Sequence, residues 1–249
     1  MTESEFAAKA PALVSHVLDT QMPAILQAAA LVAEAVAGGG VLQSFATGHS
    51  RVVALELTGR AGGLAAAGML SVKDLVMFGG ADPREILDPT YEREPGLAAR
   101  IYELARPEPI DPFLIVSNSG INAAIVEMAQ LARDRGHRVI AVTSLAHTRS
   151  PAARLTGGLH LADLADVVID NCAPAGDAGI ELAPGVRVGA VSSLTGVVIA
   201  QVLTELVCRH LLDLGVAAPV FTSANLAAGD GDNAALWARY RDRVRPIEP

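Results

Sequence analysis

A three-layer α/β sandwich around a parallel sheet is the fold class this chain predicts, and three observations predict it. Short apolar runs of strand length recur without polar alternation, stretches with apolar residues at helical spacing separate them, and hydroxyl- and glycine-rich turns follow the run ends. Phe113-Leu114-Ile115-Val116 is the clearest run, as expected for a central strand covered on both faces. It passes through Ser117-Asn118-Ser119-Gly120-Ile121 into Asn122 to Arg135, which carries Ile125, Met128, Ala129 and Ala132 at helical spacing.

In chain order, Glu5 to Thr20 and Pro23 to Ala37 read as two helices, with Pro23 at a first helical position and Gly38-Gly39-Gly40 as the stop. They make an N-terminal helical preface, residues 1–38. Val41 to Ala46 reads as the first strand, emptying into Thr47-Gly48-His49-Ser50 and a helix from Arg51 to Gly59. A second strand is expected near Ala65 to Leu70. Met77 to Pro95 lacks periodicity and reads as a long loop, suited to a lid or a subunit contact. Gly96 to Arg106 looks helical, and Pro107, Pro109 and Pro112 stiffen the approach to the central strand.

Arg138 to Thr143 is the next strand, with Ser144 to Ser150 again supplying hydroxyls after it. Val167 to Asp170 is a further strand, and Ala173 to Arg187 reads as a loop holding Asp177 and Glu181. A long helix follows from Gly189 to Leu214, with Ser192-Ser193 in its first turn. The tail, residues 216–249, reads as a loop closed by a short helix around Trp237 and Tyr240. No repeat or low-complexity linker divides the chain, so 1–249 is expected to be one domain with its α/β core over 39–215.

A chain of 249 residues suits one large core. The formal charge of −8 argues against a nucleic-acid groove or an anionic membrane surface, so any anion must be held locally by turns. Cys172 and Cys208 show neither a disulfide framework nor zinc spacing. Met1 to Ala10 has no apolar signal core. Val188 to Leu214 is long and apolar, yet Gln201, Glu205, Arg209 and His210 interrupt it, which favours a buried helix over a membrane span. A cytoplasmic protein is expected, with no nucleic-acid or membrane partner.

An anion belongs in the turn after Val116. The first peptide N–H groups of the following helix have no intrahelical partner, and the positive end of its dipole points there. Ser117 and Ser119 add hydroxyls, and Gly120 allows close backbone approach. A lone turn of this kind is commonly just a helix cap. Here the Thr47 to Ser50 turn supplies a second, and two such turns suggest a phosphorylated small molecule at the carboxyl ends of a parallel sheet.

These residues resemble the sugar isomerase (SIS) domain proteins, which bind phosphosugars, over most of Val41 to Leu214. Ser117-Asn118-Ser119-Gly120-Ile121-Asn122 is similar to the family's Ser-x-Ser-Gly-x-Thr/Asn phosphate turn, and Thr47-Gly48-His49-Ser50 stands in place of its first glycine-rich loop. Glu56-Leu57-Thr58-Gly59-Arg60 resembles a segment of the sedoheptulose-7-phosphate isomerases whose glutamate lies in the active site. Gly48-His49-Ser50 with Arg60-Ala61-Gly62-Gly63 resembles stand-alone SIS proteins, one similar to an N-acetylglucosamine-6-phosphate dehydratase.

The resemblance implies a flavodoxin-like fold and a homodimer with a shared active site, the latter in keeping with the apolar helices. Thr47, Gly48, Ser50, Ser117, Asn118, Ser119, Gly120 and Asn122 would meet phosphate and sugar hydroxyls. Enzymes of this kind begin by removing the proton on carbon 2, and Glu56 is the expected base. An acetylated nitrogen at carbon 2 would favour loss of the carbon 3 oxygen as water, and a free hydroxyl would permit an aldose–ketose shift. Elimination needs a second acid, for which Glu92, Glu181 and His210 are candidates; His49 is expected to assist ring opening or bind a hydroxyl. A phosphosugar sensor without catalysis is the remaining alternative. No cofactor or metal is expected, because the histidine that helps hold the isomerases' metal is missing near Glu56.

Overall fold

Five parallel strands build the sheet: Leu42–Ala46 (β1), Ala67–Leu70 (β2), Phe113–Val116 (β3), Val139–Thr143 (β4) and Val167–Asp170 (β5), in the spatial order β2-β1-β3-β4-β5. The computed structural model describes residues 4–88, 90–150, 158–225 and 229–247. Glu3 of the opening stretch, Pro89 of the long loop, and residues 226–228, 248 and 249 of the tail lie outside them.

Helices cover both faces. Glu5–Ala37 (α1), Arg51–Glu56 (α2) and Val191–Asp213 (α8) lie on one, and Leu97–Ala105 (α4), Ala123–Asp134 (α5) and Leu161–Leu164 (α7) on the other. The central strand β3 is apolar throughout and β4 is apolar up to Thr143, because each feeds both layers. Leu114, Val116, Ile140 and Val142 face the α1/α8 side, while Phe113, Ile115, Val139 and Ala141 face the α4/α5 side. Each large side chain fully buried this way, Ile25, Ile115 or Ile140 among them, contributes about 1.5–3 kcal/mol.

The preface is one helix rather than two: α1 runs unbroken for 33 residues with Pro11 and Pro23 inside it. A proline in a helix interior costs about 3 kcal/mol. Burial of Val17, Ile25, Ala28, Ala29, Val32 and Ala33 along a single face offsets that cost. Both α1 and α8 are long and apolar enough to cross a membrane; here their buried residues belong to the core.

The predicted loop from Ala173 to Arg187 instead contains an antiparallel hairpin, Ala178–Ala183 (β6) with Val186–Ala190 (β7). Its turn is Pro184-Gly185, with Gly185 at φ +78°, a turn signal that the flanking acids and glycines mask in the sequence. The long segment after β2 is not featureless either. It begins with the short helix Asp74–Met77 (α3) and carries 3-10 turns at Glu85–Leu87 and Tyr91–Arg93. A one-turn helix, Leu145–Thr148 (α6), occupies the hydroxyl-rich stretch after β4, and Gly229–Tyr240 (α9) is the expected tail helix.

Candidate functional site at the switch point of the sheet

Strand order reverses between β1 and β3, so the helices that follow these two strands leave on opposite faces, α2 toward α8 and α5 toward α4. That divergence opens a crevice at the carboxyl ends of the two strands, the place where open α/β sheets take ligands. The register pairs Ala46 with Val116 and Val116 with Val142, which sets Thr47 beside Ser117 at the crevice floor.

The second turn is braced from β4 and β5. Ser117 Oγ accepts from the Gly120 N–H at 3.1 Å, and Thr148 Oγ1 donates to the Ser119 carbonyl at 3.0 Å. The Asn118 carbonyl accepts from the Ser144 N–H at 3.2 Å, and its Oδ1 accepts from Asn171 Nδ2 at 3.1 Å. Gly120 sits at φ +69°, and a Cβ there would stand 3.1 Å from Thr143 Oγ1 and 3.4 Å from Thr148 Oγ1, so the position has both a conformational and a steric reason to be glycine. Asn122 caps α5 without a side-chain bond to the helix, which leaves the first peptide donors of α5 to the crevice.

The first turn is a 3-10 turn, Gly48–Ser50, running directly into α2. Glu92 links it to the second: its Oε1 accepts from Asn122 Nδ2 at 3.0 Å, and its Oε2 lies 3.6 Å from where a Cβ on Gly48 would be. A cleft of about 290 Å³ lies on this side, lined by Thr47, Gly48, Arg51, Tyr91 and Glu92. On the other side, Ser50 and His49 line a narrow cleft with Asn171, Ser192 and Ser193. The start of α8 is fixed there by Asp177, whose carboxylate accepts from the Ser192 N–H and hydroxyl, each at 2.7 Å.

α2 and α8 both lead away from this edge, packed through Val53 and Gly196. Glu56 closes α2, hydrogen-bonded to Arg60 and to Gln201 of α8, with its side chain 21% exposed. Six residues separate it from Ser50, about 9 Å of helical rise. Two other candidates are not brought in. Glu181 is exposed on β6 and pairs with Arg187 Nη1 at 3.0 Å, because the segment holding it folds on itself as a hairpin. His210 lies near the far end of α8, and the 18 residues from Ser192 to His210 amount to about 27 Å of helix.

Sequence reasoning passed over Asn171; it noted the hydroxyls of Ser144 to Ser150, Thr148 among them, and placed Ser192 and Ser193 on the helix, without giving any of these to the site. The available signal was position: Asn171 directly follows the last residue of β5, at the same sheet edge as the two turns. Among the described residues no group of three His, Cys, Asp or Glu side chains is arranged to hold a metal ion.

Fold and site together define a SIS domain, and residues 5–144 match that family, so the chain belongs to the SIS-domain family. Its relatives include the UPF0309 protein BH3325 of Halalkalibacterium halodurans, 37% identical over 229 residues and covering 92% of this chain and 93% of that one. The UPF0309 protein lmo0025 of Listeria monocytogenes is 33% identical over 244 residues, covering 96% and 97%. The solved phosphoheptose isomerase GmhA from Neisseria gonorrhoeae aligns with a TM-score of 0.54 at 17% identity, over 81% of this chain and 94% of that one. A phosphoheptose isomerase from Francisella tularensis gives the same score and identity over 82% and 95%. At that identity the likeness is one of fold.

Proposed function

We propose that the crevice binds a sugar phosphate and that the protein removes its carbon 2 proton, with elimination of water from an N-acetylamino-sugar 6-phosphate as the reaction. The observation that carries this reading is Glu92, which spans the two turns between Gly48 and Asn122. Of the three acids considered for protonating the leaving oxygen, it is the one at the crevice. Phosphate is taken by the open N-terminus of α5 with Ser117, Ser119 and Asn122, and sugar hydroxyls by Asn118, Ser50, Thr47 and His49. From there an open-chain sugar reaches along α2 toward Glu56, the base, which Gln201 and Arg60 orient.

Atoms balance without a cofactor. Glu56 takes the carbon 2 proton, the resulting enol expels the carbon 3 oxygen, and Glu92 supplies the proton that leaves with it as water. With an amide at carbon 2 the ketose route is poor and water loss competes. Aldose–ketose isomerisation of an unacetylated sugar phosphate is the second reading. It is favoured by the place of Glu92, whose carboxylate is held by Asn122 of the turn assigned to phosphate and not beside Glu56, because isomerisation needs only one carboxylate to carry a proton from carbon 2 to carbon 1.

The experiment is incubation in heavy water with N-acetylglucosamine 6-phosphate or glucosamine 6-phosphate, followed by NMR. Exchange at carbon 2 with an unsaturated product is expected from the first; a ketose from the second sugar, without unsaturation, would establish the isomerase. Glu56→Gln should reduce exchange by about 10²–10⁴-fold while the sugar phosphate still binds. Binding of either sugar with no exchange would leave a sensor in place of an enzyme.

A further inference from the structure

A cavity of about 420 Å³ outside the crevice runs along the open edge of β2, between α4 and the residues that follow α9. That is the volume of a small-molecule site. In a chain of net charge −8, four guanidinium groups line it: Arg106, Arg241, Arg243 and Arg245. Glu103 and Asp242 are the opposing carboxylates, and Glu103 is engaged outside the cavity by Arg135 at 3.3 Å.

The arginines differ in what they have left to give. Arg243 is committed to Asp111 at 2.7 Å and Glu108 at 2.8 Å. Arg245 stacks over Phe78, 4.8 Å from the ring centroid, and donates to the Leu104 carbonyl. Its Nη1 is buried with no hydrogen-bond partner among the described residues, at 3.5 Å from Asp74 Oδ2. That separation from Asp74 is longer than a good hydrogen bond, and an anionic oxygen in the cavity would complete the hydrogen bonding of the guanidinium. Arg106 and Arg241 are exposed at the rim. The strand edge adds to this: the register turns the peptide groups of Ala66 and Gly68 toward β1, which leaves those of Met69 on the open side, facing the cavity.

We propose that this cavity is a second anion site, for a small organic anion carrying two or more negative charges, a polycarboxylate or an organic phosphate. Arg245 and the Met69 peptide bind one anionic group inside, Arg106 and Arg241 bind the other at the rim, and Phe78 and Met69 cover the carbon skeleton. The site is independent of the phosphate turns and stands whether or not the crevice catalyses.

Isothermal titration calorimetry of the full chain at about 0.15 M salt, with citrate and with inorganic pyrophosphate as probes, tests it and separates the two ligand classes. At least one probe should bind with Kd below about 1 mM. The double variant Arg106→Glu with Arg241→Glu should weaken that binding at least tenfold with an unchanged circular dichroism spectrum, whereas Ser119→Ala should leave it within twofold. Arg106→Gln with Arg241→Gln serves the same comparison should the charge reversal impair folding. Binding of neither probe, or binding lost in Ser119→Ala and kept in the arginine variants, would overturn the assignment.

Discussion

His137 shows how completely one buried side chain can be specified by its two neighbours. Its Nδ1 lies 2.9 Å from the Asp111 carbonyl, an acceptor, so that nitrogen carries the proton; Nε2, 2.7 Å from the Tyr102 hydroxyl, then accepts. Burial pushes the imidazole below its usual pKa, the backbone bond to Asp111 opposing the shift. A histidine with a depressed folded pKa stabilises the fold while both states are neutral. That contribution is lost as pH falls below the ordinary value of about 6.5, because the unfolded chain takes up the proton first. Urea denaturation should therefore give a midpoint that drops between pH 7 and pH 5, and His137→Gln should flatten that dependence. The same residue-scale logic separates the carboxylates. Glu181 is held by a guanidinium on its own hairpin, whereas Glu92 is held by the Asn122 amide at the end of the turn that follows β3.

Among the elements, the contact between α2 and α8 sets how near the two halves of the site can stand. Gly196 lets α2 approach, since a Cβ there would fall 2.5 Å from Val53 Cγ2. Gly196→Ala should force Val53 to turn or the helices to part, at a cost of about 1–3 kcal/mol from overpacking. Parting should also weaken sugar phosphate binding, because Ser50 on one helix and Ser192 on the other separate. A thermal melt and a binding titration on the same sample check both; an unchanged melting temperature would show that the seam is slack. Length matters as much as proximity. α8 carries Ser192 at the crevice and His210 at the opposite end of the same rod, so membership in one helix says nothing about sharing a site.

For the molecule as a whole, the C-terminal residues are joined to the sheet through a buried acid. Asp111 is fully buried and accepts from the Val41 N–H at 2.9 Å, the Glu108 N–H at 2.9 Å and Arg243 Nη2 at 2.7 Å. Arg243→Ala strips that buried charge of its counter-ion and should cost about 3–5 kcal/mol in chemical denaturation, far more than removing an exposed ion pair such as Arg209 with Glu205. Apolar surface remains on the outside: Leu182 and Val186 on the hairpin are 65% and 51% exposed, and Leu212 on α8 is 63% exposed. We propose that the exposed hairpin pair, Leu182 and Val186, meets a second copy of the chain in a homodimer. Sedimentation at micromolar concentration should give twice the 25.7 kDa chain mass, with the monomer mass as the outcome that rejects it.

By itself the sequence determined the parallel strands, the helix after Val116 and both hydroxyl-rich turns, since each depends on residues within a few positions of one another. Ser117 to Asn122 is legible because a strand end, a glycine needing positive φ and a helix start are all local. Three things were decided only by tertiary structure. Burial against α8 carries α1 through Pro23, a compensation that lies far along the chain. Pairing across Pro184-Gly185 makes a hairpin of a segment whose composition reads as loop. The crossing of strand order between β1 and β3 brings Glu92 against Gly48 and Asn122 while leaving His210 a helix length away. Local propensity fixes which elements form, but distances between side chains remote in sequence are set by packing, and the chemistry of this site depends on those distances.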